Sequence, residues 1–200
     1  APAAISSGFP ALDAATGLGG FPRGRLAEVV GQPTAGREMV AARTVASSTG
    51  TSAWVDVPGL VDVDELTRAG VDLARLFVLR PAGALDALAI TAQLLSGGDF
   101  DVVVLDALAD LSPGGETAQA VARFVRVITP ALGRTTTAAL VLTTPDRPHR
   151  PLAHAAALRI ALVKVGLLRR GGVFRGWRTR ATMLKSPGLQ GGESGIEVWL

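Results

Sequence analysis

The run "FDVVVLDAL", residues 100–108, constrains the fold more than any other stretch. Its centre, Val102 to Leu105, is unbroken apolar sequence. A strand of that kind is buried on both faces, because a solvated face would interleave polar residues. Burial on both faces demands a layer of structure on each side of the sheet, and the rest of the chain supplies it. Strand candidates "RLAEVV" (25–30), "TSAWVDV" (51–57), "RLFVLRP" (75–81) and "TAALVLTT" (137–144) alternate with helix candidates at 37–49, 62–70, 83–98 and 115–133. That alternation predicts an α/β fold: a mostly parallel central sheet with helices on both faces and right-handed crossovers. The helix at 62–70 has Asp62 or Asp64 as its N-cap and Gly70 as its stop, and Pro130 kinks or ends the last helix. "SSGFPALDAATG" predicts a short helix and "GLGGFPRG" turns. After residue 157 the pattern changes. "LRIALVKVGLL" and "FRGWRTRATMLK" alternate around the turn glycines Gly171 and Gly172, and "SGIEVWL" follows. These predict antiparallel strands finishing the same sheet. One domain, 1–200, is expected.

Composition narrows the function classes. The chain is 48% hydrophobic and 18% charged, enough for a large core. It has no Cys, so no disulfide or thiolate chemistry, and its two histidines, His149 and His154, leave little for a transition-metal site. No apolar run reaches the ~18 residues of a membrane span, and "APAAISSGFP" has neither the basic nor the apolar region of a signal peptide. A cytoplasmic protein with no membrane partner is expected. The net charge of +3 conceals an asymmetry: residues 1–146 hold 10 Arg and 15 acids, whereas 147–192 hold eight Arg, two Lys and no acid. A basic C-terminal third suggests a surface for a polyanion or an acidic partner. The competing reading is a set of arginines that merely solvate strand edges.

The stretch "EVVGQPTAGREMV", Glu28 to Val40, has the frame of a phosphate-binding loop between a buried strand and a helix. In a G-x-x-x-x-G-K-[ST] loop the glycines let backbone N–H groups face phosphates, the Lys reaches the β- and γ-phosphates, and the hydroxyl holds magnesium. Gly31 and Gly36 keep the spacing, but Arg37 and Glu38 stand where Lys and the hydroxyl belong. Arginine's planar fork is no simple substitute for Lys. A carboxylate about 4 Å from one phosphate charge costs on the order of 4 kcal/mol at an effective dielectric near 20. A helix dipole returns roughly 0.3–1 kcal/mol. On that comparison ATP with magnesium is not expected to bind, and no cofactor is expected. A loop kept for packing is the favoured reading, with residual anion binding as its rival.

Beyond the loop, "ISSGFPALDAATGLGGFPRGRLAEVVG", "AWVDV", "GVDLARLFVLRP" and "FDVVVLDALADLSP" resemble, in order and spacing, the core ATPase domain of the RecA/RadA recombinases. The resemblance implies a RecA-like three-layer fold without the family's N-terminal oligomerisation segment and C-terminal domain. It places Asp106 at the residue that positions magnesium. It places Pro58 at the catalytic Glu and Pro145 at the γ-phosphate-sensing Gln. With Arg37 and Glu38, that leaves Lys, hydroxyl, base and sensor all replaced, so the chain is expected to be no enzyme but a degenerate paralogue. The wording is similar to the ImuA group, grouped with the cell-division inhibitor SulA. This implies an accessory protein of the DNA-damage (SOS) response and translesion synthesis, partnered by a RecA recombinase or an error-prone polymerase complex. A nucleotide-binding ATPase using Arg37 and Asp106, and a regulator that blocks a partner such as a cell-division protein, stay open as alternatives.

The family's first DNA-binding loop, after "ADLSP", looks deleted. The second shrinks to "PDRPHRPLAH", with Arg147, His149 and Arg150 and no aromatic residue for stacking. In "LLRRGGVFRGWRTR" and beyond, Arg169, Arg170, Arg175, Arg178, Arg180 and Lys185 are further candidates for single-stranded DNA. Alternation puts Arg169, Arg175, Arg178 and Arg180 on shared or neighbouring faces, as a phosphate-backbone patch without sequence readout. Trp54 and Trp177 are read as core or sheet-packing residues, and Trp199 as an apolar handle near the chain end.

Overall fold

A computed structural model describes residues 4–107 and 114–187, and the backbone of 193–199. The chain opens with β1 (Ala4–Ile5), α1 (Pro10–Thr16) and β2 (Phe21–Pro22). β1 and β2 form a small antiparallel pair of their own that the sequence did not announce. Pro10 starts α1, where a missing N–H costs nothing, and Gly17 ends it with φ 68°. Then come β3 (Arg25–Gly31), α2 (Arg37–Ala46), β4 (Ser52–Asp56), α3 (Val63–Ala69), β5 (Leu76–Leu79), α4 (Ala84–Gly97) and β6 (Val102–Asp106). α5 (Gly115–Leu132), β7 (Ala138–Thr143), α6 (Arg150–Ala155), β8 (Leu158–Arg170), β9 (Val173–Lys185) and β10 (Glu193–Trp199) complete the order. Asp62 is the N-cap of α3, accepting from the N–H groups of Asp64 and Glu65. Pro130 falls inside the last turn of α5, which runs on to Leu132.

The main sheet has the order β10-β9-β8-β3-β7-β6-β4-β5. From β8 to β5 all neighbours are parallel, while β9 and β10 are antiparallel additions at one edge. Val102 to Leu105 are all buried, and they alternate between two cores. Val102 and Val104 pack with Val40, Val45 and Leu66 on the α1–α2–α3 side. Val103 and Leu105 pack with Leu88, Phe124 and Ile128 on the α4–α5–α6 side. At about 1.5–3 kcal/mol for each fully buried Val or Leu, this strand is the mechanical centre of the domain. Among the described residues no helix is long and apolar enough to cross a membrane.

The end of the sheet remote from the loop corner is fastened by Asp101. It accepts from the Arg23 guanidinium at 3.2 Å, the Ser48 hydroxyl at 3.0 Å and the Gly50 N–H at 2.9 Å. Burial pushes its carboxyl up, but the hydrogen bonds from Arg23, Ser48 and Gly50 together outweigh it and hold the carboxyl below the ordinary 3.8. A depressed folded-state value adds stability that is present above the unfolded value and lost as pH falls through the folded one. Asp101→Asn should therefore lower stability at neutral pH and flatten the acid limb below about pH 4, read by urea denaturation across a pH series.

Candidate functional site

All the parallel strands end on one edge, and the loop remnant sits there. β3 ends at Gly31, β4 at Asp56, β6 at Asp106 and β7 at Thr143. Gly31 is needed for close approach: a Cβ there would meet the Leu162 carbonyl oxygen at 3.2 Å and the Ala35 Cβ at 3.3 Å. Gly36, the N-cap of α2, has φ 90°, a left-handed conformation that glycine adopts readily. The loop is pinned from both sides. The Thr179 hydroxyl of β9 donates to the Ala35 carbonyl at 3.0 Å, and the Gln32 amide donates to Asp146, beyond β7, at 2.6 Å.

Arg37 heads α2, and its guanidinium is turned into the protein, with 2% of the side chain exposed. Nε donates to Glu38 at 2.6 Å, Nη1 donates to the Thr143 carbonyl at 3.3 Å, and Nη2 pairs with Asp106 Oδ1 at 3.7 Å. One cation thus ties the ends of β6 and β7 to the start of α2. The Thr143 hydroxyl in turn donates to Glu28, which also accepts from Arg159. Glu28 and Arg159 are register partners on adjacent parallel strands, so the pair is fixed by the sheet itself. Glu28 is 1% exposed, and such a buried carboxylate persists only when paired and hydrogen-bonded. The sequence reading missed this second ion pair. Its signal was a lone Glu in "RLAEVVG" and a lone Arg in "LRIALV", charges misplaced in buried strands.

The other strand ends carry different chemistry. Asp56 is buried and accepts from the N–H groups of Leu60 and Val61, both at 3.1 Å, and from Arg80 at 3.3 Å. Pro58 and Pro145 lie two residues beyond the ends of β4 and β7, on the same edge. Neither can hold or move a proton. Beside this corner lies a cleft of about 260 Å³. Glu38, Asp62, Glu65 and Asp106 line it, with Trp54 and Trp177. Among the described residues, the buried indole N–H groups of Trp54 and Trp177 have no hydrogen-bond partner. Each buried N–H left unpaired costs about 1–3 kcal/mol.

The candidate DNA-contacting residues fall in separate places. "PDRPHRPLAH" is not one loop: its second half, from Arg150 on, lies in α6, with Pro151 in the first turn, where proline is tolerated. His149 precedes that helix and is only 2% exposed, which removes it from the set of solvent-facing candidates. Arg147 and Arg150 are exposed near the edge. β8 and β9 form a hairpin that extends past Gly31, the last residue of β3, and its outer part carries exposed Arg169, Arg170, Arg175, Arg178 and Arg180. Arg178 and Arg180 share a face. The register slips between Leu168 and Arg169, opposite Gly176 and Phe174, so alternation breaks at Arg175. Lys185 does not belong with them: it pairs with Arg159 at the base of the hairpin and its Nζ donates to the His154 carbonyl. The "ADLSP" loop and the side chain of Trp199 lie outside the described residues.

Comparison with known proteins fits this geometry. The RecA N-terminal domain model matches residues 2–143. Protein RecA of Corynebacterium diphtheriae is 40% identical over 116 residues, 56% of this chain and 31% of that protein. Protein RecA of Corynebacterium efficiens is 31% identical over 210 residues, covering 91% of this chain and 54% of the relative. Protein RecA of Clostridium novyi is 30% identical over 213 residues, 92% of this chain and 60% of the relative. The chain therefore spans little more than half the length of the relatives it matches most fully. These matches correct one expectation. The reading of the chain as no enzyme rested on Arg37, Glu38, Pro58 and Pro145, whereas the proteins it matches across 91% of its length are RecA proteins, of a family of ATPase recombinases. A mostly parallel sheet with helices on both faces and a family match over 2–143 lead to one conclusion: the chain belongs to the RecA family, through its N-terminal domain.

Proposed function

We propose that this RecA-family chain serves DNA recombination and repair in the cytoplasm as an accessory of damage tolerance, through partner proteins and sequence-independent contacts to single-stranded DNA. The observation that carries this reading is the projecting hairpin. Its exposed arginines give a phosphate-tracking surface, and Phe174, 43% exposed and 6.0 Å from the Trp177 ring, gives the stacking platform missing from the Arg147–Arg150 segment. The ImuA-like wording of the sequence supports a recombinase or an error-prone polymerase complex as partner. A fluorescently labelled single-stranded oligonucleotide should bind at about 50 mM salt irrespective of sequence and be released by about 200 mM. Capture of the recombinase or the error-prone polymerase from the same cell tests the partner half. A duplex preferred over the single strand, or neither protein captured, would overturn the reading.

A second reading, an unorthodox nucleotide site, is favoured by the pairing of Arg37 with Asp106 at 3.7 Å. We place it second on charge. The cleft is lined by four acidic residues, and the Arg37 guanidinium is not in its lining and is already engaged by Glu38 and the Thr143 carbonyl, a set that does not suit a triphosphate with magnesium. Isothermal titration should show no saturation by ATP with magnesium up to about 1 mM, a ceiling equivalent to roughly −4 kcal/mol. Micromolar binding would reverse the order of the two readings.

A further inference from the structure

The tip of the β8–β9 hairpin owes its chemistry to the slip in register. Leu167 faces Trp177 and Leu168 faces Gly176, but the next pairs are Arg169 with Phe174 and Arg170 with Val173. Arg175 is the extra residue, without a register partner across the hairpin. An unbroken register would set Arg169 against Arg175, two like charges directly opposite, which is destabilising. The slip gives two other pairs instead, each a cation beside an apolar side chain, and residues directly opposite share a face. Gly171 and Gly172, at φ 57° and 78°, close the hairpin in a two-residue turn whose twist suits the strands, so the pairs are held in place. The half-buried Trp177 braces the ring of Phe174, with centroids 6.0 Å apart, and is itself engaged by the Lys164 ammonium at 4.5 Å. Phe174, 43% exposed, is the aromatic ring left open. No ion pair among the described residues engages Arg169, Arg170 or Arg175.

We propose that the slipped register builds a single-nucleotide subsite at the tip: an unpaired base stacks on Phe174, Arg169 opposite it takes that nucleotide's phosphate, and Arg175 takes the neighbouring one. This rests on the reading of the chain as a binder of single-stranded DNA and names the group that touches the base. Three occupants can be told apart by what they use. A duplex offers phosphates but no open base face, and leaves Phe174 in water. An acidic protein segment engages the arginines but makes no demand for a ring between them. A single strand uses both, the phosphates for position and the ring for stacking, which tolerates any sequence because every base has a π-face. The Arg170–Val173 pair beside the turn has a cation but no ring, so it adds charge without a second stacking site.

The test compares two labelled strands of equal length on the whole chain at about 50 mM salt, an oligothymidylate and an abasic phosphodiester. The unaltered chain should bind the oligothymidylate about tenfold more tightly. Phe174→Ala should lower that affinity about tenfold, leave the abasic strand unaffected and leave the salt slope unchanged, because no phosphate contact is lost. Phe174→Trp, which keeps a ring, should retain the preference. Arg169→Ala should weaken both strands and reduce the slope by roughly 0.7. Equal affinity of the unaltered chain for the two strands overturns the subsite and leaves phosphate tracking standing, whereas binding of neither overturns the DNA reading and the subsite together. A preference for the oligothymidylate that survives Phe174→Ala puts the base contact elsewhere and overturns the proposal. So does a Phe174→Ala variant that loses capture of the partner protein while its DNA affinity is intact, since the tip would then be a protein contact.

Discussion

Arg37→Ala should destabilise the protein by about 3–5 kcal/mol, the largest single effect expected in this chain. The reason is what the substitution leaves behind. Asp106 is 2% exposed, and Arg37 is the cation that faces it. Taking the guanidinium away removes the cation of a buried ion pair in a poorly solvated corner and the donor to the Thr143 carbonyl. Glu38 suffers less, since 32% of its side chain reaches solvent. For a domain of this size such a loss lowers the thermal midpoint by on the order of 10 °C. Arg37→Met with Asp106→Asn should recover much of the deficit, because a neutral pair carries no uncompensated charge. Urea denaturation with unchanged slope checks both. A loss under about 1 kcal/mol for Arg37→Ala would mean that the guanidinium is not the clamp described above.

Replacing Arg147, Arg150, Arg175 and Arg178 together with Ala should weaken single-stranded DNA binding by about ten- to a hundredfold near 50 mM salt. It should also reduce the slope of log affinity against log salt by roughly 0.7 for each phosphate no longer neutralised, about 2–3 in all. The slope is the sharper readout, because it reflects displaced counterions and is indifferent to small changes in packing. All four side chains are exposed, so the thermal midpoint should move little. A quadruple variant with wild-type affinity and slope would remove the basic surface from the function.

The sequence made the layered fold legible because the signals were local. "VVVLD" could be satisfied only between two layers, and Asp62, Gly70 and Gly17 punctuate their helices where the structure ends them. What stayed hidden was non-local. Nothing in "RLAEVVG" says that Glu28 will meet Arg159, since that pairing is set by a parallel register across 131 residues of chain. Likewise, Arg37 reads as a side chain reaching for a phosphate until Asp106 and the Thr143 carbonyl are brought within reach by β6 and β7. "PDRPHRPLAH" misled because three prolines suggested an open loop, whereas Pro151 sits in the one helical turn that accepts proline. The family was legible from wording. Its consequence for catalysis was misread by weighing four replaced residues above the similarity of the whole.

The Thr179 hydroxyl on the Ala35 carbonyl has a mechanical meaning. It is a tie between the arm that reaches away from the sheet and the floor beneath the acidic cleft, and Trp177, two residues earlier on the same strand, is part of the cleft wall. The hairpin and the cleft thus share one strand and one hydrogen bond, and any occupant of one surface that altered the affinity of the other would have its own affinity altered by the same factor.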